Sequence, residues 1–256
     1  MRVTAILNLK GGVAKTTTAI NLAAILAVDH GKRVLIVDAD SQCNVTEFFG
    51  ASSDRGSVAT ILRRGGNRAE PGPYAAGFIQ QTEYKGLDIL PADDSLMDLD
   101  LSKCESGAVD AGVLRRLAEF VVDRYDYMIF DCPPAFNAAG AAALIAADDV
   151  VIPIKLDAFS LRGMGNLLRQ IRNMQRINPR LKLAGLLPTM WYRDDKIAES
   201  EATLKEAGLP LYPHIRRSNT VDAMTYRQEP LLISSPTSGA GVDYRKFVRA
   251  YLGVTE

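Results

Sequence analysis

Residues 7–18 read Leu-Asn-Leu-Lys-Gly-Gly-Val-Ala-Lys-Thr-Thr-Thr, and their types and spacing suit one chemistry, the holding of a polyphosphate. An apolar β-type run at residues 3–7 leads into the glycines, and residues 19–28 read as a helix, so the order is strand, loop, helix. In such a loop successive backbone N–H groups point inward and the next helix adds its positive N-terminal end, which stabilises an anion. Gly11 and Gly12 let the backbone come close and use positive φ. Val13 and Ala14 complete the turn, Lys15 is placed to reach the β- and γ-phosphates, and the Thr16 hydroxyl to ligate Mg²⁺, with Thr17 beside it. A glycine turn with a chance lysine is the plain alternative; eight consecutive fitting positions and correct flanking elements argue against it.

Two further strand ends carry carboxylates. Asp38 and Asp40 follow the apolar run 34–37, and residues two apart on a strand point the same way, so both face the crevice that holds the loop. Their plain reading is a solvated Asp-Ser turn. Residues 127–130 form a hydrophobic run ending in Asp131, a carboxylate that meets Mg²⁺, usually through water. Pro133 and Pro134 stop that strand.

The elements that must position these groups alternate along the chain. Runs at 34–37, 87–90, 127–130, 150–154 and 183–187 are β-rich and separated by helical stretches. That alternation predicts an α/β fold, a mostly parallel twisted sheet with helices on both faces and ligands at the carboxyl ends of the strands. Residues 65–77, rich in Gly, Pro and Ala, read as a loop or insertion.

Residues 160–182 carry Arg162, Arg169, Arg172, Arg176, Arg180 and Lys182 and no acid. On a helix the first four arginines fall in a stripe of roughly 80°, opposite Met164, Leu167, Leu168, Ile171 and Met174. A solvated face is the usual meaning of a charge run, but an ordinary exposed helix mixes both signs. Arg169, Arg172 and Arg176 are therefore candidate contacts for DNA phosphates.

Against the pattern G-x-x-x-x-G-K-[ST], the first glycine position is Leu9 and the second Ala14; the variant K-G-G-x-x-K-[ST]-[ST], with a second lysine at Lys10, fits. That variant resembles the deviant Walker ATPases, which hold the ParA-type DNA partition proteins and the MinD-type division-site proteins. The resemblance runs from Val3 to Leu252 and implies a single P-loop NTPase domain over residues 1–256, without an N-terminal helix-turn-helix. Ala14 stands where a glycine is usual, and no positive φ is expected there. In the family the second motif commonly reads Asp-x-Asp-Pro-Gln-Gly-Asn; here Ser41 and Cys43 depart from it. By resemblance Asp40 orients or activates the attacking water, Asp38 helps hold the Mg²⁺ shell, and residues 127–134 have the Walker B form. The loops at Thr189 and Pro213 fall on the adenine side. Residues 215–223 resemble a ParA-type stretch containing arginines implicated in sequence-independent DNA binding, which nominates Arg216 and Arg217.

The implied activity is a slow ATPase using ATP and Mg²⁺. Two subunits close face to face when ATP is bound, with Lys10 crossing to the partner's nucleotide. The dimer binds double-stranded DNA non-specifically, and a ParB-type centromere-binding protein stimulates hydrolysis. A cytoplasmic, nucleoid-associated protein is expected.

At 256 residues, 47% hydrophobic, 23% charged and with zero net charge, the chain can bury one sizeable core and is not a highly basic binder overall. No apolar run reaches membrane-spanning length, and the first strand leaves no room for a signal peptide. The basic amphipathic tail at 244–252 is expected to dock on the core; a MinD-type membrane-associated ATPase, which shares the loop, is the alternative to the partition role. A metabolic ligase related to dethiobiotin synthetase is another. Cys43, Cys104 and Cys132 lack metal or cluster spacing and read as reduced thiols, which disfavours a nitrogenase-type iron protein. His30 and His214 are too scattered for a metal site.

Overall fold

The computed structural model describes residues 1–63 and 70–254. In chain order the elements are β1 (Arg2–Ile6), α1 (Lys15–Val28), β2 (Val34–Asp38), α2 (Asn44–Phe48), α3 (Val58–Leu62), α4 (Pro71–Ala76), β3 (Gln80–Gln81) and β4 (Leu87–Leu90). Then follow α5 (Leu101–Glu105), α6 (Val113–Phe120), β5 (Tyr127–Asp131), α7 (Ala138–Ala146), β6 (Asp149–Lys155) and α8 (Ala158–Gln175). The last third holds β7 (Lys182–Thr189), α9 (Asp195–Glu206), α10 (Asn219–Arg227), α11 (Leu231–Ser234) and α12 (Gly239–Leu252).

All the long strands are buried on both faces because their side chains alternate between two apolar clusters. Leu35, Val37, Met128 and Phe130 join one cluster, while Val34, Ile36 and Ile129 join the other. Double burial is what a parallel sheet demands, since crossover helices cover both sides. The strands order β3-β4-β2-β5-β1-β6-β7, parallel throughout except the β3–β4 pair. Central β1 lies between β5 and β6, and the chain leaves β1 toward β2 but β6 toward β7. The loops therefore part at the carboxyl ends of the central strands and leave a crevice there.

Three details differ from the sequence reading. Helix α1 begins at Lys15, four residues before the predicted start, so the lysine and threonines form its first turn. The stretch 65–77 is not all loop: residues 65–69 lie outside the described residues, but Pro71–Ala76 is helical, with proline at a position whose N–H has no helical partner anyway. Close packing holds this helix, for a Cβ on Gly72 would stand 2.7 Å from the Phe120 Cβ. A seventh strand, β3, pairs with the edge through two glutamines that carry no apolar signal. The tail docks as expected, with Tyr244, Phe247, Val248 and Tyr251 buried.

Candidate functional site

The glycine loop leaves β1 and is pinned from behind. Asn8 Nδ2 donates to the Pro153 carbonyl on β6 at 2.8 Å, and its Oδ1 accepts from the Lys10 N–H at 3.0 Å. Gly12 takes φ +68° with open space where a side chain would be. Ala14 also lies in the left-handed region, φ 63° and ψ 34°, contrary to the expectation that it needs no positive φ. The loop geometry imposes that backbone whatever the side chain, at about 1 kcal/mol for a residue with a Cβ. Ala14 offers the first turn of α1 no side-chain cap, and no acid follows, so the positive helix end faces the loop uncompensated.

Lys15 is 7% exposed, and its ammonium donates to the Lys10 carbonyl at 3.1 Å. Burial lowers its pKa, opposed by the charges of Asp131 and Asp40, which shows that the three groups share one site. Asp131 is fully buried, and neither carboxylate oxygen has a hydrogen-bond partner. Desolvation holds its pKa well above the usual carboxylate range, with Asp38 and Asp40 adding to the rise and Thr16 and Lys15 opposing it. A buried orphan carboxylate costs stability unless something charged completes it.

Asp38, expected in the Mg²⁺ shell, makes three bonds within its own loop. Its Oδ2 accepts from the Thr46 N–H at 2.9 Å and the Thr46 hydroxyl at 2.7 Å, and its Oδ1 from the Asp40 N–H at 3.2 Å. Those bonds shape the 38–46 loop, and on the neighbouring strand the paired Asp131 keeps two oxygens with no hydrogen-bond partner. Burial raises the pKa of Asp38 to about 6 despite the bonds. Asp40 in turn accepts from the Gln42 N–H at 3.1 Å. Cys43, where glycine is common in the resembling family, takes φ 55° at the start of α2. Burial pushes its thiol up to about 12, so it is not a reactive group.

Lys10 is held within its own chain. Its ammonium lies 2.9 and 2.8 Å from the two Asp157 oxygens and 3.0 Å from the Ser160 hydroxyl. Asp157 also accepts from the Ser160 N–H and thereby caps α8. Burial alone would raise its pKa, but the bonds from Lys10 and Ser160 outweigh that and hold it down to about 2.

Beside the loop a cavity of about 550 Å³ opens between Ala14, Thr189, Met190, Ile215, Asn219 and Tyr244. Thr189 donates to the Val13 carbonyl at 3.2 Å and so joins β7 to the loop. Met190 is a third residue with a side chain at positive φ, 53°. Pro213, expected on this side, lies outside the cavity lining. Trp191 stacks on His214 with ring centroids 3.8 Å apart.

The basic residues divide. Arg162, Arg169 and Arg172 are exposed along α8, and Arg176 at its end and Arg180 in the following loop are exposed too. Arg216, nominated for DNA contact, is clamped by three bonds to the buried Asp243, at 2.6, 2.8 and 3.0 Å. Its side chain keeps half its exposure while the bonds fix the loop onto α12. Arg217 is exposed and has no such clamp. A parallel bridge between Trp191 and Arg216 aligns the two loops, which brings the segment bearing the exposed Arg193 beside the one bearing Arg217. The late pairing joins positions 25 residues apart, and no local pattern announces it.

A family model described as an AAA domain matches residues 1–183. The chromosome partitioning protein ParA of Caulobacter vibrioides is 36% identical over 207 residues, 79% of this chain and 74% of that protein. The sporulation initiation inhibitor protein Soj of Bacillus subtilis is 36% identical over 192 residues, 74% of this chain and 72% of its own. Among solved structures, cobyrinic acid a,c-diamide synthase from Mycobacterium smegmatis with bound ADP and magnesium superposes with a TM-score of 0.79 at 30% identity, covering 98% of this chain and 94% of that one. With the glycine loop, its two lysines and the carboxylates assembled at the ends of β1, β2 and β5, these matches identify the chain as a member of the ParA-type family of the ParA/MinD ATPase superfamily.

Proposed function

We propose that the protein is an ATP-dependent DNA-partition switch, a single-domain ATPase that grips DNA as a nucleotide-bound dimer. The observation that carries the nucleotide reading is Asp131, a buried carboxylate with both oxygens unpartnered, set with Thr16 and Lys15 at the mouth of the phosphate loop. Among the described residues no three His, Cys, Asp or Glu side chains gather into a metal site. That suits Mg²⁺, which takes one or two carboxylates and completes its shell with water and substrate phosphate. Thr16 and Asp131 would hold it, and it would supply positive charge against the β- and γ-phosphate oxygens.

The chain's own groups do the rest. Backbone N–H groups of Gly11 to Thr17 cradle the phosphates, Lys15 neutralises them, and Thr189 and its neighbours receive the base. Asp40 aligns the attacking water, its orientation set by the Asp38–Thr46 bonds. Phosphoryl transfer needs positioning and charge more than covalent chemistry, so modest turnover fits a switch. Lys10 completes the site of a second subunit once a γ-phosphate gives it something to bind.

DNA binding follows from the unneutralised arginines of α8 with Arg217, and the exposed Arg193 on the neighbouring loop supports this reading. Doubling this surface in a dimer roughly doubles the phosphate contacts and steepens the salt dependence. A ParB-type partner and nucleoid association belong to this reading. Among the described residues no helix is long and apolar enough to cross a membrane.

The test is a DNA mobility shift with ATP, ADP and no nucleotide, repeated with Lys10→Ala. A shift that needs ATP and is lost in the variant supports the switch. A shift indifferent to nucleotide sinks it. Turnover of a small carboxylic acid without DNA would favour a ligase instead.

A further inference from the structure

Asp157 has two cations within reach. Lys10 binds its Oδ2 at 2.8 Å, and the Lys155 ammonium lies 3.7 Å from the same oxygen. That second distance is too long for a hydrogen bond but well inside Coulomb range. Lys155 ends β6, and the Asp157 N–H donates to its carbonyl at 2.9 Å, a three-residue turn that keeps the two side chains neighbours. The lysine side chain is 47% exposed and the acid 27%, which leaves the four-carbon stem room to change rotamer. Lys155 also lines the cavity beside the loop, together with Arg216, Arg217 and Asp222. Arg216 is taken by Asp243, and among the described residues Asp157 is the one carboxylate within 4.0 Å of the Lys155 ammonium.

Lys10, Lys155 and Asp157 together carry one surplus positive charge. Lys10 cannot serve a second subunit's nucleotide and Asp157 at once. If it left with nothing in its place, the carboxylate that caps α8 would lose its counter-charge, and that loss would oppose the departure. A second ammonium on the same oxygen removes the opposition, both by competing with Lys10 beforehand and by pairing with the acid afterwards. We propose that Lys155 is a positioning residue that takes over Asp157 when Lys10 swings to the second subunit, so that the dimer forms without leaving the acid unpaired. The inference rests on the dimer reading above and assigns how each subunit releases its lysine.

Sedimentation velocity with Mg²⁺ and a non-hydrolysable ATP analogue reads the dimer constant. The native protein is expected to dimerise, and Lys155→Met to lower the constant by about three- to fivefold, the scale of a partly exposed ion pair counted in both subunits. Lys155→Arg should keep the native value. In an Asp157→Asn background there is no charge to take over, so Lys155→Met should change nothing there. Melting temperature, and ADP affinity read by calorimetry, should stay native in Lys155→Met. A native protein that stays monomeric overturns the dimer reading and this hand-over with it. Native dimerisation that Lys155→Met leaves unchanged overturns the hand-over alone. An equal loss with and without the Asp157 carboxylate, or a fall in ADP affinity, does the same, by giving Lys155 to the nucleotide or to the partner directly.

Discussion

The Lys10 ammonium is bound by both carboxylate oxygens of Asp157, at 2.9 and 2.8 Å, across 147 residues of chain. This ties the glycine loop to the first turn of α8 and occupies the very charge that a second subunit's nucleotide would need.

Loosening the tie should therefore ease dimerisation. Asp157→Asn keeps a side chain that can cap α8 but removes the ion pair. Because both partners are partly exposed, the gain is small, up to about fivefold in the dimer constant. Analytical ultracentrifugation across a protein dilution series reads it; an unchanged constant counts against the tie as a restraint.

Replacing Asp131 should trade stability against function. Asp131→Asn keeps the shape and removes the buried charge, and should raise metal-free stability, since an ionised carboxyl costs more to bury than a neutral amide. Calorimetry without Mg²⁺ should show a higher melting temperature. Nucleotide titrations should at the same time lose their dependence on Mg²⁺.

Lys15→Ala should abolish ATP binding, since the loop loses its phosphate-facing cation. Asp40→Ala should leave binding intact but stall hydrolysis, so that the protein persists on DNA after ATP is added. Filter binding followed by a chase with competitor DNA distinguishes a trapped complex from one that still cycles.

Ala14 and Cys43 occupy left-handed backbone where glycine carries no penalty. Ala14→Gly and Cys43→Gly should each stabilise the fold by about 0.5–1 kcal/mol, the strain relieved less the extra chain entropy. A rise of about 1–4 °C in melting temperature checks each. A fall at either site would show that the side chain packs better than the backbone strain costs.

Arg216 and Arg217 should part company when changed singly. Arg217→Ala should lower the log–log salt slope of DNA binding by about 1 and spare stability. Arg216→Ala should instead leave Asp243 buried without its clamp. Burial raises the pKa of Asp243, but the bonds from Arg216 outweigh it and leave the carboxyl below its ordinary value. Its contribution is thus present above the unfolded pKa and is lost as pH falls toward the lower folded value. Acid titration of unfolding should show that loss in the native protein below about pH 4 and less of it in Arg216→Ala.

Much of this site was legible because its signals are local. The strand–loop–helix order around Gly11 and Gly12, and the two-residue alternation that buries both sides of β2 and β5, are written in neighbouring residues. Asp131 was readable as an acid ending an apolar run. What could not be read depends on residues far apart or on backbone alone. Asp243 clamps Arg216 from 27 positions away, and Thr46 uses up Asp38 by a loop closure that composition does not reveal. The positive φ of Ala14 is set by the path of the loop and leaves no trace in an alanine. Helix α4 exists through its packing on Phe120, in a stretch whose glycine and proline content signals a turn.

The sheet's two margins also constrain how copies of this molecule can meet. At one side the two-residue β3 runs against its neighbour, too short to template another chain, and at the other β7 is partly covered by a bridge from Leu211 to Leu186 and by the Ile215 N–H, which donates to the Pro188 carbonyl. With both borders blunted, end-to-end growth by strand addition is closed off. Copies of this molecule that meet must therefore do so through helices and loops, leaving the sheet itself out of the contact.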